Sequence, residues 1–252
     1  MGGLSITSFA SESGHWYKDD GAPAYSIIGK NGKERPVTLR DARTENLVPS
    51  VTTITRLAAS PGLDIWKQQQ VLMAALTLPR IEGELEADFI ARVMRDSKET
   101  GSKAAERGTL IHGVLEQAYS RKSFDDAYSV YVVGVMLSVG NLYGDEPWCA
   151  EKSFSKDGYG GKCDLHSPCV VIDFKTKEFT KDNLPKAYEE QVIQLAAYRH
   201  GLGYPSAKCA NVFVSVSEPG LVHIIEHSEE DLVKGLKMFN CLKDYFYLKT
   251  GL

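Results

Sequence analysis

Between Glu151 and Tyr198 the chain carries Asp164, Asp173, Lys175 and the pair Gln194 and Tyr198, in an order that suits cleavage of a phosphodiester. The stretch reads Gly160-Gly161-Lys162-Cys163-Asp164, then a turn, then Val170-Val171-Ile172-Asp173-Phe174-Lys175-Thr176. Asp173 and Lys175 are two apart in an apolar run, so in a strand both project from one face. Asp164 ends the preceding short strand and can meet them across a hairpin. Two converging carboxylates make a hard oxygen site for Mg²⁺ or Mn²⁺, and a lysine beside them can orient water and steady negative charge. An Asp-x-Lys pair on a strand is also a common surface ion pair. Its place inside Val-Val-Ile-Asp-Phe-Lys favours function, because burying such charges without a cation is costly.

The elements that must position these residues alternate in period. Residues 151–154, 159–165 and 169–175 read as a three-stranded meander broken by Asp157-Gly158 and Ser167-Pro168 turns. Ala187 to His200 is helical, closed by Gly201 and Gly203, and sets Gln194 and Tyr198 one turn apart on a shared face. Strands over 211–216 and 221–226 follow, and Ser228 with Asp231 caps a final helix towards Leu248. Upstream, Asn31-Gly32 centres a hairpin, Pro49 to Ile54 leads into short helical pieces, and Asp64-Ile65-Trp66 opens a helix. Glu84 to Lys98 is charged and amphipathic, a break is expected near Gly101, and a further helix runs from Lys103 to Tyr119. Ser123 with Asp126 reads as the capping pair of a helix through Leu142. The expectation is an N-terminal elaboration over 1–100 and one α/β domain over 101–252.

Composition permits this without demanding it. The chain has 252 residues, of which 43% are hydrophobic and 25% charged, enough for a core and too ordered for a disordered chain. The net charge of −4 means that nucleic-acid binding needs a local basic surface. Arg92, Arg95, Lys98, Lys103 and Arg107 supply one candidate, and Lys175, Lys177, Lys181 and Lys186 another; ordinary solvated helix faces are the alternative. Trp16, Tyr17 and Trp66 could stack on bases, or simply pack. Met1 to Asp20 has no apolar segment of a signal peptide, Ile6 stands where a myristoylation signal needs Ser or Thr, and the apolar stretch from Tyr128 to Val139 is too short to span a bilayer. With five cysteines and no secretory signal, a reducing, cytoplasmic setting without membrane association is expected.

Gly-Gly-Lys-Cys-Asp164, Ile-Asp173-Phe-Lys175-Thr and Gln194-Leu-Ala-Ala-Tyr198, with Arg107-Gly108-Thr109-Leu110-Ile111-His112 before them, resemble the PD-(D/E)xK nuclease superfamily and its RecB-like exonuclease branch. The branch includes CRISPR-associated exonucleases, the mitochondrial genome maintenance exonuclease and phage recombination exonucleases. The resemblance covers roughly Pro49 to Tyr204, including the Pro-Ser-Val-Thr-Thr-Ile run of phage and bacterial members. It implies a restriction-endonuclease-like core, a central mixed sheet flanked by helices, behind the N-terminal hairpin and helices, which would wall the entry of a DNA strand. It implies a pair of Mg²⁺ or Mn²⁺ ions held by Asp164, Asp173, the Phe174 carbonyl and His112, with Glu151 as a further acid. Lys175, Gln194 and Tyr198 would complete the catalytic group, and Arg107, Lys103, Arg95, Lys177 and Trp66 would hold DNA. The implied activity is exonucleolytic, in phage or bacterial recombination or repair, on linear DNA ends. A single-strand annealing or binding protein is the implied protein partner. A structure-specific endonuclease or a nuclease-dead DNA-binding module remains the alternative.

His112, between Ile111 and Leu115, could equally be a hydrogen-bonded core histidine, and Gln194 and Tyr198 could be helix packing. Glu116, one turn beyond His112, reads as a solvated helix residue. Cys163, His166 and Cys169, with Cys149, make a poor zinc set because no close Cys-x-x-Cys pair exists. Some CRISPR-associated relatives hold an iron–sulfur cluster, but only Cys209 and Cys241 stand in the C-terminal part here, so no cluster is expected.

Overall fold

In a computed structural model that describes residues 15–58 and 61–252, the chain opens with short strands β1 (Trp16–Tyr17), β2 (Ser26–Ile28) and β3 (Glu34–Pro36). Residues 1–14 of the expected N-terminal elaboration lie outside that description. The Asn31-Gly32 turn joins β2 to β3, with Gly32 at φ 72°, a conformation glycine adopts without steric cost. Thr38 and Asp41 form a capping box on α1 (Leu39–Glu45), and β4 (Val48–Pro49) returns to pair with β1. Ser50 caps α2 (Val51–Thr55), whose Val51 and Ile54 are fully buried.

Helices α3 (Pro61–Thr77) and α4 (Glu86–Tyr119) form a long hairpin. The break expected near Gly101 is absent: α4 runs unbroken for 34 residues. The helix-favouring run Lys103-Ala104-Ala105-Glu106-Arg107 outweighs one glycine. Gly101 instead faces Trp66, whose Cη2 would lie 3.7 Å from a Cβ there. A second correction concerns the next helix, α5 (Ser129–Tyr143). It is entered through a 3₁₀ turn capped by Asp125, which accepts the Ala127 N–H at 3.0 Å, and not by Ser123 with Asp126.

The remaining elements are β5 (Cys149–Lys156), β6 (Tyr159–His166), β7 (Val170–Lys177), α6 (Glu189–Leu202), β8 (Lys208–Ser215), β9 (Val222–Glu226) and α7 (Glu229–Thr250). The strands form one sheet in the order β5-β6-β7-β8-β9, with β7 and β8 parallel and the other pairs antiparallel. A parallel pair needs a crossover, and α6 supplies it. The fold is therefore α/β, a central mixed sheet flanked by helices.

Two cores lie on the two faces of that sheet. On one side Ile193, Leu195 and Tyr198 of α6 and Leu232 and Phe239 of α7 pack with α2 and β1. On the other, Ile111 and Leu115 of α4 and Val132, Val135 and Val139 of α5 pack on Val170, Ile172 and Phe174. No helix among the described residues is long and apolar enough to cross a membrane.

Candidate active site

Strand β7 sorts its own side chains. Val170, Ile172 and Phe174 enter the α4–α5 core while Val171 enters the α6–α7 core, so Asp173 and Lys175 share the face that looks at α6. There Gln194 and Tyr198, one turn apart, meet them. Asp173 is 2% exposed. The Lys175 Nζ lies 2.9 Å from its Oδ1 and 2.8 Å from its Oδ2. Gln194 Nε2 donates to Oδ1 at 3.0 Å and to the Tyr198 hydroxyl at 3.0 Å, while its Oε1 accepts from Lys175 at 3.3 Å. The four side chains form one connected network, so packing alone does not describe Gln194 and Tyr198.

Asp164 arrives by a break in the sheet. β6 and β7 pair only through Leu165↔Ile172 and His166↔Val171, then part. Cys163 and Leu165, two apart in one strand, should share a face, yet they lie in opposite cores, so the chain turns over at Asp164. Across from it in the β5–β6 register stands Glu151, a non-glycine residue at φ 55°. Backbone of that kind costs about 1–3 kcal/mol and collects at functional sites. The freed Asp164 Oδ2 accepts the Phe174 N–H at 2.8 Å and lies 3.6 Å from His112 Nδ1. His112 comes from α4 with its ring edge-on to Phe174, 6.2 Å between centroids. It is partly exposed, not a core histidine. Glu151 is ion-paired with Lys162.

The Gly160-Gly161 pair has a packing reason. A Cβ on Gly160 would lie 2.5 Å from Tyr17 Cβ, and one on Gly161 2.9 Å from both Phe154 and Tyr198. Only glycine lets β1 and α6 close on β6 beside the acids.

Burial, and then Asp173, push the Asp164 carboxyl up to about 8. Burial works against the Lys175 ammonium, but Asp173 and Asp164 outweigh it and raise its pKa. Burial lowers His112 and raises Tyr198 and Glu151, Lys162 partly opposing the last. Burial is the largest influence on each of these groups, and the Asp173 carboxylate adds to it at Asp164 and Tyr198.

Among the described residues no three His, Cys, Asp or Glu side chains form a closed metal site. A Mg²⁺ ion does not need one, since one or two carboxylates, water and substrate oxygens hold it. The donor set fits a hard divalent ion on its chemistry. Asp164 Oδ2 takes the Phe174 N–H, and Oδ1 is bonded to no protein group among the described residues, so it is free to meet a cation. Asp173 is differently placed, because Lys175 already spans its two oxygens. Of the other candidate ligands, Phe174 gives its N–H to Asp164, and Glu151 faces Lys162.

The expected DNA-binding residues separate into three groups. Trp66, Lys103, Arg107 and Lys177 line one cavity of about 520 Å³ together with Thr176, directly beyond Lys175 on β7. Gly108 permits this closeness, since a Cβ there would be 2.8 Å from Thr176 Oγ1. Lys177 also reaches the Tyr188 hydroxyl at 3.2 Å. Arg95 is exposed further up α4, about 18 Å from Arg107 at 1.5 Å per residue. Arg92 is held by Glu84 at 2.9 Å, and Trp16 and Tyr17 are buried, so these three belong to packing.

Two site residues were missed from sequence. Asn211 of β8 stands in register with Asp173, and its Nδ2 donates to Asp173 Oδ2 at 2.8 Å. His227, just past β9, places Nε2 2.7 Å from Asn211 Oδ1. The available signal was a lone amide inside the apolar run Cys209-Ala210-Asn211-Val212-Phe213.

No family model and no curated protein matches the chain. Among solved structures it is similar to an alkaline exonuclease (LHK-Exo) from Laribacter hongkongensis, at 15% identity and a TM-score of 0.33, over 75% of this chain and 98% of that one. It is also similar to SSO0001, at 15% identity and a TM-score of 0.27, over 71% and 86%. Likeness this distant carries no argument about the site, which stands on its own geometry.

Proposed function

We propose that this protein is a Mg²⁺- or Mn²⁺-dependent deoxyribonuclease that degrades linear DNA from its ends. The observation that supports it most is the buried Asp173 carboxylate, bonded to Lys175, Gln194 and Asn211, with Asp164 facing it where β6 and β7 part. Asp164 and Asp173 would hold the ion, with His112 and the Phe174 carbonyl beside them and Glu151 further out. When bound, such an ion supplies Lewis acidity to a phosphate oxygen and lowers the pKa of a water.

The chain's own groups have narrower tasks. Lys175 stays an ammonium at neutral pH, because Asp173 and Asp164 raise its pKa. It therefore donates hydrogen bonds to charge that builds on the phosphate and does not take a proton from water. Gln194 ties Lys175 to Asp173 and is itself oriented by Tyr198, so the donor is aimed before substrate arrives. Trp66 offers a stacking face, and Lys103, Arg107 and Lys177 offer phosphate contacts beside it.

End-labelled linear and covalently closed circular DNA, single- and double-stranded, should be incubated with Mg²⁺ or Mn²⁺. The expected result is shortening of linear DNA from an end while closed circles persist, because a circle has no terminus to enter the cavity. Asp173→Asn should abolish cleavage and retain DNA binding. Circles cut as fast as linear DNA would replace the exonuclease reading with an endonuclease. Near-wild-type cleavage by Asp173→Asn would remove the catalytic assignment.

A further inference from the structure

Asn211 is fully buried in a strand whose neighbours Cys209, Ala210, Val212, Phe213 and Val214 are all buried and apolar or nearly so. Every polar atom of its side chain is used: Nδ2 on Asp173 Oδ2, and Oδ1 facing His227 Nε2. Charge decides which way the amide points. Reversed, it would set Oδ1 against the Asp173 carboxylate. With Nδ2 towards Asp173, Oδ1 accepts, and His227 must then carry its proton on Nε2.

His227 is itself anchored. Its main-chain N–H donates to the Cys209 carbonyl at 2.9 Å, so the imidazole is tied to the strand that carries Asn211. The three groups on Asp173 differ in stiffness. Lys175 is a long ammonium that an incoming cation would displace and a phosphate would draw away. Asn211 is a short, neutral donor held from behind, and it approaches from the neighbouring strand rather than from α6.

We infer that Asn211 and His227 are positioning residues: His227 fixes the Asn211 amide, and Asn211 fixes the plane of the Asp173 carboxylate, so that the lone pairs Lys175 now occupies stay aimed when the ammonium gives way. The inference rests on the metal-dependent nuclease reading of the site. A neutral donor suits this task because it orients a carboxylate without neutralising it, whereas a cation there would compete with a metal ion.

The test compares wild type with Asn211→Ala, His227→Gln and His227→Phe. Calorimetric titration with Mn²⁺, kcat and KM on linear DNA, and the ¹⁵N signals of His227 are the readouts. Asn211→Ala should weaken Mn²⁺ binding or lower kcat by about 10–100-fold, the usual effect of losing such a partner, with KM for DNA unchanged. Glutamine can still donate an N–H to Oδ1 and should restore most of what His227→Phe loses. In wild type the ¹⁵N signals should report the Nε2–H tautomer. Wild-type Mn²⁺ affinity and kcat in Asn211→Ala would overturn the inference, as would equal behaviour of the Gln and Phe variants. Should Asn211→Ala not fold, the His227 pair, at a partly exposed position, decides alone. A wild type that binds Mn²⁺ but cuts no DNA sinks the nuclease reading and leaves the Mn²⁺ comparison able to judge the positioning role. A wild type that binds no Mn²⁺ overturns both.

Discussion

Asp164 serves Phe174 as a strand partner: its Oδ2 accepts the Phe174 N–H at 2.8 Å just where β6 and β7 stop pairing. A main-chain donor left open by the parted strands is satisfied by a side chain, and one carboxylate oxygen remains for other use. The same parting lets His112 approach from α4 and Lys175 and Gln194 from the α6 face. A continuous ladder would have kept these groups on opposite sides of the sheet.

The buried acid makes stability depend on pH in a defined direction. The Asp164 carboxyl is raised to about 8 by burial and then by Asp173, against roughly 4 in an unfolded chain. Between those values the folded protein holds a proton that the unfolded chain has released. Metal-free stability from this group is thus complete at acid pH and declines as pH rises through about 8. Melting temperature without metal should fall across that window, and saturating Mg²⁺ should recover more of it at the alkaline end. Asp164→Asn should flatten the decline; an unchanged slope in that variant would assign the effect elsewhere.

His112 gives a prediction with two opposed outcomes. Its side chain is 30% exposed and 3.6 Å from Asp164 Oδ2, so its removal opens no core cavity. His112→Ala should raise the Mn²⁺ concentration needed for half-maximal cleavage and leave the metal-free melting temperature nearly unchanged. A melting temperature lowered equally with and without Mn²⁺ would return His112 to a structural role.

Gly160 tests the packing reason for the glycine pair. Its Cβ would sit 2.5 Å from Tyr17, a backbone-proximal contact that no rotamer relieves. Overpacking of this kind costs about 1–3 kcal/mol, and each kcal/mol lowers the melting temperature by about 2–4 °C in a chain of this size. Gly160→Ala should therefore melt several degrees lower, with Asp164 and Asp173 still in place. An unchanged melting temperature would mean that β1 gives way freely.

How far the site was legible depends on the distance its information travels. The pairing of Asp173 with Lys175 follows from alternation within one strand, and Gln194 with Tyr198 from one helical turn. Asn211 is different, because its partner lies 38 residues away across a parallel pair that only the α6 crossover creates. A lone Asn in an apolar strand looks the same whether it meets a carboxylate or a turn. Arg92 misled for a related reason: Glu84, eight residues earlier, reaches it from the loop between α3 and α4. Gly101 misled because one glycine weighs little against the helix formers around it, and α4 runs straight through it.

Charge on the cavity beyond β7 sets the last prediction. Arg107 and Lys103 are one helical turn apart on α4 and both line that cavity, as does Trp66 of α3. Lys103 is already engaged by Glu99 at 2.8 Å on an exposed face, and a phosphate must compete with that carboxylate. Arg107 offers a planar fork that grips phosphate with two bonds. Neutralising one phosphate contact should reduce the slope of log K against log salt by about 1. Arg107→Ala should show that reduction in full when DNA binding is titrated at several salt concentrations with Ca²⁺ in place of Mg²⁺. Lys103→Ala should show less, and Trp66→Ala should lower single-strand affinity with the salt slope intact, because stacking releases no counterions. Equal slopes for wild type and Arg107→Ala would move the DNA path away from this cavity, whatever the fate of Asp164 and Asp173.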